Sequence, residues 1–265
     1  MAIFPGSAIP SGAEDYTIDQ SLRFDTASES RLSRTPTAGD LRSWTISGWV
    51  KRCVPDQTAN PKFYDTGTGY FNFQSDGTFW LGEAGSAELN TTPVYRDPSS
   101  WYHIVVVWDS DNATEGDRWR LYVNGERVTA FGTETYPAQN TDSVWNSATL
   151  HYIGGRISTS TNTTPNAYFA DFYFIDGSSL GPASFGETDA ATNQWKPLDS
   201  DDVKDAVTFG TNGFYQKYSS TELAASFEDS AEGHVIDTSG NVHTDTAVKK
   251  FGTASAQFDG TGDAI

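Results

Sequence analysis

The chain has 265 residues, a net charge of −18 and a pI near 4.4. A field of that sign opposes nucleic acid and anionic membranes, and no apolar run is long enough to span a bilayer. One cysteine, Cys53, excludes an intrachain disulfide and reads as a small residue near a strand end.

Aromatic residues make up 14% of the chain and glycines number 24, which suits many short strands joined by tight turns. Residues 1–19 form an arm broken by Pro5, Gly6, Pro10 and Gly12. Its apolar Ile3, Phe4 and Ile9 are expected to dock on another protein or another copy, or else on the chain's own sandwich. The arm has no basic segment followed by an apolar stretch, so no secretory signal is expected. Residues 21–25 open the sandwich. Residues 44–52 make a core strand with Trp44, Ile46, Gly48 and Val50 on one face. Phe63-Tyr64, 70–73 and 78–81 read as three short strands with turns at 67–69 and 75–77.

The densest signal is WYHIVVVWDSDNATEGDRWRLYVNGERV, residues 101–128. Its first strand is apolar on both alternating faces, so it should be central and covered twice. In its second strand Trp119, Leu121 and Val123 share one face, and Arg118, Arg120 and Tyr122 the other. Asn124-Gly125 predicts a type I′ turn, because both positions must accept φ > 0. Residues 130–147 read as a long polar loop carrying Trp145, 150–154 as a strand and 158–166 as a loop. In the strand at 168–175, Ala170, Phe172 and Phe174 should face inward, and Asp171 and Tyr173 outward. Short helical turns are expected at 180–185 and 201–206.

These stretches, in this order, resemble the laminin-G-like, concanavalin A-like jelly-roll modules. SLRFD at 21–25, WTISGWVKR at 44–52, WYHIVVVWD with RWRLYVNGERV, YIGG at 152–155 and ADFYFIDG at 170–177 carry the resemblance. It implies an all-β antiparallel β-sandwich with few helical turns. It also implies that 21–25 pairs with 213–218. MAIFPGSAIPSG, FGETD at 185–189 and GTNGFY at 210–215 are similar to structural modules of marine tailed bacteriophages. The domain boundaries follow: an arm at 1–19, a sandwich at 20–222, and from 223 to 265 a linker and the opening of a second module. SAQFD at 255 repeats the SLRFD pattern at 21. A repeated strand would compete for the first one's slot, so the tail is expected to lie outside the first core.

Chemistry is sparse. A laminarinase-like Glu-x-Asp-x-x-Glu would start at Glu115-Gly116-Asp117, but its third acid falls on Arg120, which cannot act as an acid. Phe227-Glu228-Asp229 leads to Glu232 at the wrong spacing. His103, His151, His234 and His243 have no zinc spacing, so no catalytic residue is expected. Asp109, Asp111, Asn112, Glu115 and Asp117 place five hard oxygen ligands in nine positions, either a polar hairpin tip or a calcium site. Calcium is the one cofactor considered. A sugar platform needs aromatic faces beside amides and carboxylates. Tyr70, Trp80, Tyr95, Trp145 and Tyr173 are candidates, with Asn72, Asn140, Asn146 and Asp171 nearby in sequence.

The resemblance implies a non-enzymatic virion protein, assembled in a host cytoplasm. Its role would be a tail-fibre or spike module that recognises host-surface glycan or protein, with other virion proteins and its own copies as expected partners. A decoration protein that only packs on virion subunits is the rival, and a polysaccharide-cleaving enzyme the third reading.

Overall fold

A computed structural model describes residues 16–57, 61–83, 87–155, 157–158 and 161–218, and short tail strands at 227–228, 235–236, 243–245 and 255–257. For 157–158, 161–162 and the tail strands it describes the backbone alone. The expected anchors Ile3, Phe4 and Ile9 lie outside the described residues.

The doubly apolar strand Trp101–Asp109 sits centrally in the larger of two sheets. Its order is Glu126–Arg127, Trp119–Val123, Trp101–Asp109, Ser43–Arg52, Ala167–Asp176, Leu22–Phe24, Ser255–Gln257 and His243–Asp245. The second sheet runs Phe131–Thr135, Ala87–Thr91, Phe79–Glu83, Gly69–Phe73, Lys62–Asp65, His151–Ile153 and Leu32–Arg34. Asn124 and Gly125 take φ of 50° and 83°, as the turn at that hairpin requires. Asp199 caps the helix Ser200–Ala206 by accepting from the Asp201 amide at 2.9 Å.

Between the sheets lies an aromatic core. Trp44 stacks on Trp108 at 6.1 Å and meets Trp145 at 5.7 Å. Phe63, Phe73 and Phe79 pack edge-on and stacked below them. The other face of Trp101–Asp109 is covered as well. Val105 and Val107 join Tyr173, Ile175, Phe185, Val203 and Phe209 in a second apolar cluster. The segment after Asp176 therefore acts as a lid over the middle of the large sheet's outer face.

Several expectations change. The 130–147 stretch is not all loop, because Phe131–Thr135 extends the small sheet beside Ala87–Thr91. Trp145 is wholly buried among Trp44, Tyr64 and Phe71. A large indole in a polar stretch serves here as a plug between the sheets. Tyr173 does face away from the main core, but the lid buries it to 3% exposure, against Tyr215 at 4.4 Å.

Asp171 is 2% exposed and accepts from the Tyr215 hydroxyl at 2.6 Å and from Tyr16 at 3.4 Å. Its φ of 44° and the register jump between Ala170 and Tyr173 mark a bulge. A left-handed non-glycine residue costs roughly 1 kcal/mol or more, and the two phenols hold it there. The bulge turns Ala170 outward, where it packs with Trp49 and Ile18. Trp145, Tyr173 and Asp171 are thus structural, not ligand platforms.

The edge pairing also differs from the family expectation. Leu22–Phe24 pairs with Ala167–Phe169, while Phe214–Gln216 pairs with Phe172–Phe174 on the same side of the same strand. The two short strands lie end to end rather than side by side. The repeat at Ser255–Gln257 does not compete for the slot of Leu22–Phe24; it pairs with that strand's outer edge in parallel, Leu22 opposite Ala256.

Candidate functional site

Alternation in the small sheet sorts its residues into core and outer faces. Phe71, Phe73, Phe79, Leu81 and Leu89 go inward. Tyr70, Asn72, Trp80, Gly82, Glu88 and Asn90 therefore share the outer face. Register aligns them in two cross-strand rows. One is Lys62, Asn72, Trp80, Asn90 and Thr133. The other is Tyr152, Asp65, Tyr70, Gly82, Glu88 and Thr135.

Trp80 lies along the sheet over Gly82. A Cβ on that glycine would fall 1.7 Å from the tip of the indole, so only glycine leaves the ring its seat. The indole Nε1 donates to Glu88 Oε1 at 2.8 Å, which fixes the ring's rotation. Tyr70 packs beside it at 4.6 Å with the planes 31° apart. Lys62 Nζ stands 3.5 Å from the Tyr70 ring centre and 3.1 Å from Asp65 Oδ2. Lys62 and Asp65 are both buried, so this ion pair closes one end of the platform. The other end is open, where Thr133 and Thr135 are exposed and Trp80, Glu88 and Asn90 half-buried. The side-chain carbonyls of Asn72 and Asn90, which flank Trp80, accept no hydrogen bond in the described structure.

The arrangement is a preformed aromatic floor bordered by amide, carboxylate and hydroxyl groups. Of the residues singled out in the sequence, Tyr70, Trp80 and Asn72 come together here. Tyr95 does not; it packs at the core edge against Phe73 and Tyr102, and burial raises its phenol to about 12. Asn146 is buried and donates to Asp40 and Asp176, and Asn140 is an exposed turn residue at φ 62°. Glu88 and Asn90 were missed because AELNT was not read as a strand. The signal was present in the alternation of Ala87, Leu89 and Thr91 with the two polar residues.

The acidic hairpin is built differently from a cation cage. Asp109 lies 3.6 Å from Arg120 and also accepts from Asn112 and Ser179. Asp111 faces Arg42 at 3.7 Å, and Asp117 pairs with Arg127 at 2.7 Å. Glu115 is exposed in a short 3-10 turn. Asn112 accepts from the Thr114 amide. Among the described residues, no three His, Cys, Asp or Glu side chains converge as a metal site.

Residues 25–183, more than half of the chain, match the laminin G type of the concanavalin A-like lectin/glucanase superfamily. The chain belongs to that superfamily. No curated protein matches it. Among solved structures, a candidate carbohydrate-binding protein from Bacteroides ovatus shares the fold of this superfamily member. Its TM-score is 0.54 at 12% identity, covering 82% of this chain and 56% of that one. The chain thus spans just over half of that protein's length. Domains LG4-5 of the mouse laminin α1 chain align at TM-score 0.41 and 11% identity, over 64% of this chain and 47% of that one. A heptameric pentraxin from Limulus polyphemus aligns at 0.39 and 18%, over 57% and 70%.

Proposed function

We propose that this superfamily member is a non-enzymatic carbohydrate-binding module whose platform is the outer face of the small sheet. One observation carries the reading: the half-buried Trp80 lies over Gly82, pinned by Glu88, on a sheet face whose far end is open. An indole face takes the C–H face of a pyranose, and the exposed Thr133 and Thr135 with half-buried Glu88 at the open end offer polar partners to its hydroxyls. Binding without chemistry is favoured because the carboxylates on this face are engaged, Asp65 with Lys62 and Glu88 with Trp80. Glycoside cleavage needs two carboxylates free to act across one bond. In the virion setting implied by the motifs at 1–12, 185–189 and 210–215, such a module would serve host adhesion, as part of a tail fibre or spike.

The test is a glycan array probed with the whole chain, its Trp80→Ala variant and its Gly82→Ala variant. Both substitutions should abolish retention while leaving the melting temperature within about 3 °C of the wild type. Gly82→Ala acts only by lifting the ring. If glycan retention survives both substitutions, the platform is wrong.

A further inference from the structure

A second concave site lies on the opposite side of the molecule, on the outer face of the large sheet. Trp49 and Trp101 project outward from neighbouring strands there, and the hairpin of Gly186–Thr188 and Trp195–Pro197 folds over them. Together with Tyr16 they enclose a groove of about 440 Å³. Ligand pockets of roughly 300–1,000 Å³ hold small molecules, so this one has room for a short saccharide.

The groove's wall is held rigidly. His103 stacks on Trp49 at 4.8 Å with the planes 28° apart, and Trp195 lies beside its edge, 5.9 Å away and tilted by 24°. Trp195 Nε1 donates to His103 Nδ1 at 2.9 Å, and His103 Nε2 lies 2.9 Å from Ser47 Oγ. With Nδ1 accepting, Nε2 carries the proton and donates to the serine. Trp195 also covers Gly125 and Gly186, where a Cβ would come within 2.4 and 2.7 Å of its ring. The indole therefore cannot swing away, and its half-exposed surface is presented to the groove.

The rim supplies both kinds of hydrogen-bonding group. Gln194 is exposed beside Trp195 and offers a donor and an acceptor. Lys196 lies 3.4 Å from Glu187 and 3.5 Å from Asp189, so its charge is compensated within the hairpin. A sugar presents a flat apolar face edged by hydroxyls that both donate and accept. An anionic sugar would need an uncompensated cation and would meet a chain of net charge −18.

We infer that this tryptophan groove is a second carbohydrate site, selective for neutral saccharides, on the face opposite the Trp80 platform. It rests on its own residues, and the two sites can stand or fall separately. A molecule with both would bridge two glycan chains.

The experiment uses the full chain labelled with 5-fluorotryptophan, whose eight indoles report separately by fluorine NMR. Trp195, Trp101 and Trp80 signals are assigned from single Trp→Phe variants. The probes are cellotriose, laminaritriose, maltotriose, chitotriose, lactose and anionic 3′-sialyllactose. Saturable shifts of Trp195 and Trp101 with at least one neutral probe are expected, and about tenfold weaker response to sialyllactose. Trp195→Ala should weaken the Trp101 response about tenfold and leave any Trp80 response intact. Gln194→Ala, an exposed change that cannot unfold the chain, should weaken it less. The inference is overturned if no neutral probe moves Trp195 and Trp101, whatever Trp80 does. It is also overturned if Trp80→Ala removes their response, or if a peptide of residues 1–12 moves them where the sugars do not.

Discussion

Glu83 ends the strand Phe79–Glu83 on its core side, 4% exposed. One carboxylate oxygen accepts from the Val144 amide at 3.1 Å, and the other has no partner among the described residues. Burial raises its pKa from the ordinary 4.5 to about 7, and the Val144 amide only partly offsets that. The folded state thus holds a proton that the unfolded chain releases near 4.5. Stability from this group is complete below pH 4.5 and is lost as pH rises through about 7. The shift corresponds to about 3 kcal/mol at pH 8.

His151 works in the opposite direction. Burial lowers its pKa from 6.5 to about 4, so its contribution is complete above 6.5 and lost as pH falls through 4. Between pH 4.5 and 6.5 the two slopes oppose each other in the wild type. Glu83→Gln keeps an acceptor for Val144 and removes one slope. The variant should be more stable than the wild type at pH 8 by about 3 kcal/mol, some 6–12 °C in melting temperature for a domain of this size. The difference should vanish near pH 4.5. Thermal unfolding followed by circular dichroism from pH 4.5 to 8 reads both curves. A difference that does not change with pH would refute the reasoning.

Trp145→Ala should cost about 3–5 kcal/mol, the scale of emptying a core indole site, with glycan binding unchanged at a temperature where the variant is folded; denaturant titration measures the first and the array the second. Calcium should leave the melting temperature unchanged, because arginines already face Asp109, Asp111 and Asp117; calorimetric traces with calcium and with EDTA should superimpose. A chain truncated after Tyr218 should melt within about 3 °C of the full chain, since Leu22–Phe24 keeps its pairing with Ala167–Phe169; a loss of several kcal/mol would put the tail inside the core.

The architecture was legible where a local pattern and its burial agree. The doubly apolar 101–109 strand announced a covered central position, and Asn124-Gly125 fixed its hairpin. Trp119, Leu121 and Val123 went inward as their alternation required. The site was legible only in part. Trp80 could be picked out as a candidate, but its value depends on Gly82, two residues on, which reads alone as a turn or a weak strand position. Trp195 was overlooked because it sits in a polar stretch, and its orientation comes from His103, distant in the chain. Trp145 misled for the same reason in reverse: its polar neighbours suggested solvent, while Glu83 and Trp44 drew it into the core. Asp171 followed the strand's alternation on paper, but the bulge broke that period at the preceding residue.

The end-to-end placement of Leu22–Phe24 and Phe214–Gln216 has a topological consequence. Both run in the same direction along Ala167–Asp176, and Gln216 stands opposite Phe172 while Leu22 stands opposite Phe169. The sandwich's exit therefore runs straight into its entrance, with only the bulge between them. Topologically the module is a ring missing one short link. Joining residue 218 to residue 20 and opening the chain at exposed Pro98-Ser99 would keep every strand pairing between Leu22 and Gln216 and remove only the tail strand beside Leu22. The same placement along one strand lets the whole sandwich sit as a cassette inside a loop of another domain, since neighbouring host strands could carry both of its ends.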